Sequence, residues 1–127
     1  MPPVVSKPLD AVEKAESEVT ANPNSAEAHA RLAWAYYGKG QYDEAARAVD
    51  RALSLDPDNF EAHYALGLIH KATGAKLQAV AEFEKASALA AAIEDAVRRQ
   101  MLQRLIRGHI NEINTGDWNL GKHIAHA

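Results

Sequence analysis

The sequence predicts an all-α fold built from antiparallel helix pairs, and three observations carry that prediction. Apolar residues make up 47% of the 127 positions, many of them alanine, while Gly and Pro number only 7 and 5; alanine has the highest intrinsic helix propensity and lets helix backbones approach closely. No sustained run of alternating β-branched and aromatic residues marks a strand. Third, residues 24–57 laid over residues 58–91 return Glu27/Glu61, Ala28/Ala62, His29/His63, Leu32/Leu66, Gly40/Gly74, Ala45/Ala79, Ala52/Ala86 and Leu55/Leu89, a repeat of 34 residues. Self-similarity at such a period is the mark of a repeat architecture.

Each element follows from local chemistry. Ahead of the repeat, "LDAVEKAESEVTANP" has the character of a lone second helix, with Asp10 as its cap and Ala11 and Ala15 on the places of Ala45 and Val49. In "PNSAE" and "PDNFE", Asn24 and Asp58 stand three residues ahead of Glu27 and Glu61, in the pattern of a capping box. Helices are expected over 26–39 and 42–54, then over 60–73 and 76–89. Gly40 and Gly74 fall where the first helix of each pair must end in a left-handed residue. Ala45 and Ala79, five residues on, let the two helices cross closely, and Val49 and Phe83 follow four later. Downstream, "GDWNLG" from Gly116 matches "GQYDEA" from Gly40, which implies a third copy. Gly74 to Gly116 spans 42 residues, eight more than the period, so helices around 89–113 are lengthened by about two turns without losing phase.

No Pro or Gly interrupts the stretch from Lys76 to Arg107. Two readings of it stay open. A tight turn near 91–95 gives another antiparallel pair; a continuous helix gives a rod of about 55 Å. The turn is favoured, because a rod strands Val97, Met101, Leu105, Ile106, Ile110 and Ile113 without a partner in their own chain. The expected organisation is an N-terminal tail over 1–8 and one domain over 9–127. That domain divides into a half-repeat helix (9–22), two repeats (24–57 and 58–91) and a degenerate, elongated third repeat or cap (92–127).

These residues resemble the tetratricopeptide repeat, whose 34-residue signature runs W-x₂-L-G-x₂-Y…A-x₃-F…P. The resemblance covers 26–57 and 60–91. It departs at His29 and His63 where Trp is usual, at His70 for Tyr, and at Ala91 for the closing Pro that Pro57 supplies to the first copy. It implies a right-handed superhelical solenoid whose first helices line a concave groove. It also implies a non-catalytic module that binds a peptide or a helix of another protein in that groove.

On the same resemblance, the groove is lined by Glu27, Ala30, Arg31, Trp34 and Tyr37. One period on come Glu61, Tyr64, Ala65, Leu68 and Lys71, with Arg98, Arg99 and Leu102 from the neighbouring element. Chaperone-binding members of the family clamp terminal carboxylates with Lys and Asn; here Trp34 and Leu68 stand where Asn is wanted, and Ala30 and Tyr64 where Lys is wanted. No carboxylate clamp is expected. Trp34, Tyr37 and Tyr64 suit an apolar or helical segment instead, although Trp34 and Tyr37 have the alternative of packing against the N-terminal helix. Glu27 and Glu61 also read as helix-dipole residues, and His29 and His63 as half-polar residues between helices.

Composition narrows the partners. A net charge of −3 lacks the basic footprint of a nucleic-acid binder. The cysteine-free sequence offers no thiolate site or nucleophile. No Ser-His-Asp set, carboxylate pair or phosphate-cradling Gly loop can be assembled by spacing, so no catalytic residue, cofactor or enzymatic activity is expected. His63 and His70, and His123 and His126, lack a carboxylate at ligand spacing, and no metal site is expected. Arg98, Arg99, Arg104 and Arg107 form either a solvated helix face or a contact for an acidic partner. The opening "MPPVVSKPLD" is not a secretory signal and no stretch has the length of a membrane span, so a cytoplasmic protein is expected. The alternative function is a self-associating scaffold, a homodimer formed through 89–113.

Overall fold

A computed structural model describes residues 9–118, and it contains six helices in succession: α1 (Ala11–Ala21), α2 (Ala26–Gly38), α3 (Tyr42–Leu55), α4 (Phe60–Ala72), α5 (Lys76–Ala90) and α6 (Ala96–Thr115). There is no strand among the described residues. α2 packs on α3 and α4 on α5 as pairs, with α1 laid on α2 and α6 on α5. This is an all-α helical-repeat solenoid.

The helix starts correct one expectation. Ser25, not Asn24, caps α2, accepting from the Ala28 amide at 3.2 Å, and Asn59, not Asp58, caps α4, accepting from the Ala62 amide at 2.9 Å. The reason is geometric: a cap side chain must reach the amide three residues ahead, and the first helical residues are Ala26 and Phe60. Asp10 caps α1 as expected, accepting from the Glu13 amide at 2.8 Å. Gly40, Gly74 and Gly116 have φ of 74°, 84° and 75° and are the positive-φ residues among those described, a conformation that costs glycine nothing.

α5 and α6 are separate helices. With neither Pro nor Gly available, the break is made by tightening and recapping. The amides of Ala91, Ala92 and Ile93 turn to the carbonyls three residues back. Asp95 then accepts from the Val97 and Arg98 amides at 3.0 and 3.1 Å. The extra length falls mainly in α6, 20 residues against 13 in α2 and α4. Seven residues are close to two turns, so its apolar face stays in register with α5. The stripe read from the sequence therefore splits: Ile106 is fully buried and Ile110 and Ile113 are half-buried, whereas Val97, Met101 and Leu105 are exposed.

Two clusters make up the core. Ala33, Ala45, Ala48, Val49, Ala52, Ala62, Ala65 and Ile69 join α2, α3 and α4; Tyr64, Leu68, Ala79, Phe83, Ala86 and Ile106 join α4, α5 and α6. The small residues set the helix spacing. A Cβ built on Gly67 would lie 2.7 Å from Phe83 Cδ1, so α4 and α5 touch there with no room for a methyl group. At the front, Val12 and Ala15 of α1 are buried, while Ala11 is exposed. The equivalence of Ala11 with the fully buried Ala45 thus fails by one position, because α1 presents Val12 instead.

His29 and His63 are buried between helices, and each reaches back six residues to a proline carbonyl: His29 Nε2 to Pro23 O at 2.8 Å, His63 Nε2 to Pro57 O at 2.7 Å. Where the family signature has tryptophan, this chain uses an imidazole to tie the linker to the helix. His63 has a second tie, Nδ1 to Glu82 Oε2 at 2.7 Å. One period earlier Glu82 becomes Ala48, so the first pair lacks it.

Candidate protein-binding groove

α1 creates the first wall of a cleft. It is held to α2 by burial of Val12 and Ala15 and by two ion pairs, Asp10 to Lys39 (2.8 Å) and Glu18 to Arg31. Arg31 lowers the Glu18 carboxyl below its ordinary range, chiefly through their hydrogen bond. Asp10 is lowered first by the Glu13 amide and then by Lys39. Ala11, Lys14, Ala15 and Glu18 of α1, with Arg31, Trp34 and Ala35 of α2, line an open cleft of about 390 Å³.

Trp34 forms one edge of that cleft and also joins successive repeats. Its indole N–H donates to the Glu61 carbonyl at 3.2 Å, and its ring lies 5.3 Å from Tyr64 and 6.4 Å from Tyr37. Further rings extend the line: Tyr42 on Tyr37, Phe83 on Tyr64, and His109 stacked on Phe83 at 5.0 Å and 7°. Burial raises the Tyr37 and Tyr64 hydroxyls above their ordinary value.

The residues singled out in the sequence are placed unequally. Glu27, Arg31 and Arg98 are exposed, and Trp34, Tyr37, Glu61 and Lys71 are half-buried. Ala30, Tyr64, Ala65 and Leu68 are buried, Tyr64 and Leu68 beneath the apolar face of α6. They support the groove from within and offer little surface, because α6 uses that flank of α4 for its own packing. Leu102 is half-buried in the same cluster, and Arg99 is turned back to donate to the Ile93 carbonyl at 2.6 Å. The alternative for Trp34 and Tyr37 is packing against the N-terminal helix; both are half-buried, and their ring contacts are with each other, with Tyr64 and with Tyr42.

Lys71 is occupied. Its ammonium lies 3.0 Å from His109 Nδ1, 3.3 Å from Glu112 and 5.8 Å from the Trp118 ring centroid. Burial first, and the Lys71 charge second, push His109 down to about 4, against the opposing pull of Glu112. His109 was not singled out in the sequence; its signal was its place between Ile106 and Ile113 on the inward face. Lys14, Glu18 and Ala35 were also missed, and they follow only from seeing α1 lie on α2. Among the described residues no group of three or more His, Asp or Glu could hold a metal ion. His123 and His126 lie outside the described residues. No helix among those described is long and apolar enough to cross a membrane.

Paired helices in 34-residue steps, glycine turns after each first helix and a lined flank on those first helices define a helical-repeat protein. Two family models match it: one described as TPR repeat over residues 35–74 and one described as tetratricopeptide repeat over residues 60–93. The chain is a tetratricopeptide-repeat protein. Such repeats generally mediate protein–protein interactions and are generally not catalytic. No curated protein matches the chain.

Proposed function

We propose that this protein is a non-catalytic adaptor or assembly module of the cytoplasm that holds a peptide or helix of another protein along α2 and the neighbouring first helices. The observation that carries the reading is the cleft along α2, where the Trp34 ring and the alanines Ala15 and Ala35 form an apolar floor beside Arg31, Lys14 and Glu18. An apolar or aromatic side chain fits this setting, as aromatic-walled pockets are common anchoring points. Glu27 and Arg31 would form the polar rim, with Glu61 and Tyr37 continuing the surface toward Lys71 and Arg98. Trp34 and Leu68 stand where a carboxylate clamp needs Asn, Ala30 and Tyr64 where it needs Lys, and the nearby Lys71 is engaged by Glu112 and His109. Recognition of a terminal carboxylate is therefore not part of the proposal.

The test compares proteins retained from a cell extract by the wild type, by Arg31→Glu and Trp34→Phe, and by Arg47→Glu on the exposed surface of α3, quantified by mass spectrometry. A partner retained by wild type and Arg47→Glu but reduced about tenfold by the α2 variants is expected. Equal retention by all four proteins would sink the reading. Trp34→Phe is used because it loses the indole N–H bond to the Glu61 carbonyl but keeps an aromatic ring in the seam, whereas Trp34→Ala removes both.

The second reading, self-association through 89–113, draws on the exposure of Val97, Met101 and Leu105 (77, 53 and 39%). A symmetric pairing of α6 with itself would set Arg98, Arg104 and Arg107 near their own copies, and like charges opposed across an interface are costly. The first reading is preferred for that reason.

A further inference from the structure

α4 receives the helix that follows it on the side where Gly67 meets Phe83. α6 has the same feature in Gly108, where an added Cβ would collide with the Trp118 ring. Arg104, Met101 and Val97 stand four, seven and eleven residues before Gly108, so they continue the same side of the helix toward its N-terminus. Trp118 covers Gly108, and the three earlier positions are exposed among the described residues. α6 therefore extends, for about three turns, the kind of surface on which α4 seats an antiparallel helix.

The charge on this surface is one-sided. From Ala96 to Asn111 there are four arginines and no acidic residue, in a chain whose net charge is −3. Arg98 and Arg107 flank the stripe on opposite sides and Arg104 lies within it. Arg98, Arg104 and Arg107 form no ion pair among the described residues. Arg107 also lines a cleft of about 600 Å³ between α5 and α6, together with Ala88, Ala91 and Ile110 and with Glu84 on its α5 side.

We infer that the free side of α6 is a second docking surface, separate from the cleft along α2, and that its occupant is an acidic amphipathic helix of another protein. That helix lies antiparallel to α6, sets an apolar stripe on Val97 and Met101, and places carboxylates against Arg98, Arg104 and Arg107. A second copy of this chain fits poorly, since α6 on α6 opposes arginine to arginine. An anionic membrane surface fits less well than a helix. The stripe is short and of the form that receives a helix elsewhere in the fold, and the rest of the chain carries the net negative charge.

The test titrates full-length protein into a fluorescein-labelled 18-residue probe peptide with Leu at helical i, i+3/i+4 spacing flanked by Glu, and into the same peptide with Lys for Glu. Anisotropy is expected to show saturable binding of the Glu probe, at least about tenfold tighter than the Lys probe and weakened by added salt. Met101→Glu and Arg104→Glu, both at exposed positions, are each expected to lose about tenfold or more with unchanged helix content by circular dichroism. Trp34→Phe should bind the probe like wild type, which separates this surface from the cleft along α2. The inference is overturned by absence of binding, by equal binding of the two probes, or by variants that bind like wild type. It is overturned equally by light scattering that finds a dimer dispersed by Met101→Glu, and by binding to phosphatidylglycerol vesicles without binding to the peptide.

Discussion

The two helix pairs solve one packing problem with different side chains. Where α4 crosses α5, Gly67 faces Phe83; one period earlier, at the same two places in α2 and α3, stand Ala33 and Val49. Phe83, Val49 and Ala33 are all fully buried. A larger ring is matched by a missing methyl group, so the combined volume at the crossing is kept rather than either residue. Interiors are packed densely enough that such compensation is required. The pairs differ in a second way: His63 is tied to both Pro57 and Glu82, whereas His29 is tied to Pro23 alone.

The most severe way to break the comparison is to fill a place where both pairs demand a small residue. Ala79→Trp, at a fully buried position in α5, should cost about 3 kcal/mol or more by overpacking and abolish a cooperative urea transition. An unchanged melting temperature would discredit the pairing of Ala79 with Ala45. Next, Gly67→Ala should lose about 1–2 kcal/mol, since overlap with a ring that cannot move outweighs a helix-propensity gain of about 1 kcal/mol. Phe83→Val should lose about 1–3 kcal/mol by leaving a cavity. Combining the two rebuilds the solution used by the first pair. The double variant should be more stable than the sum of the single losses allows, by more than about 0.5 kcal/mol, and strict additivity in urea titrations would contradict volume compensation.

A smaller contrast separates the histidines. His63→Ala leaves the Pro57 carbonyl and the Glu82 carboxylate without a partner and should cost about 2 kcal/mol, against about 1 kcal/mol for His29→Ala; equal losses would mean the Glu82 tie adds nothing. The smallest expected effect is one of pH. His109, stacked on Phe83, is held near 4 against an ordinary 6.5. The unfolded chain therefore takes up this proton first as pH falls. The contribution is complete above 6.5, declines between 6.5 and about 4, and is gone below. With His109 about half-exposed, solvent screening reduces it to about 1 kcal/mol. Urea midpoints at pH 7 and 4.5 should show this loss, and His109→Gln should flatten it. The Asp10 and Glu18 carboxyls are lowered from their ordinary values, so the stability they contribute is present above the ordinary carboxylate range and is lost as the pH falls through it.

The pairs were legible in the sequence because glycine, alanine and proline mark geometry directly. Gly40 and Gly74 announced left-handed turns, and Ala45 and Ala79 announced close crossings. The cap positions were displaced by one residue, since Asn24 and Ser25, like Asp58 and Asn59, are adjacent and both competent, and only the first helical residue decides between them. The end of α5 was ambiguous for a related reason: it is made by Asp95 and three tightened turns, with no helix breaker in the sequence. The groove was half legible. Periodicity places Tyr64 and Leu68 on the same flank as Trp34, but whether a flank is open depends on the next element, and Leu102, Ile106, Ile110 and Ile113 of α6 cover theirs.

Only two indoles are present in the chain, and they report on different neighbourhoods. Trp34 sits at the seam between α2 and α4, bonded to the Glu61 carbonyl, while Trp118 lies on Gly108 of α6 with Lys71 nearby. Each single-indole protein, Trp118→Phe or Trp34→Phe, thus becomes a fluorescent reporter of one seam. In a stack where every unit touches only its neighbours, the order in which the two emissions shift under denaturant reads out directly which end unzips first.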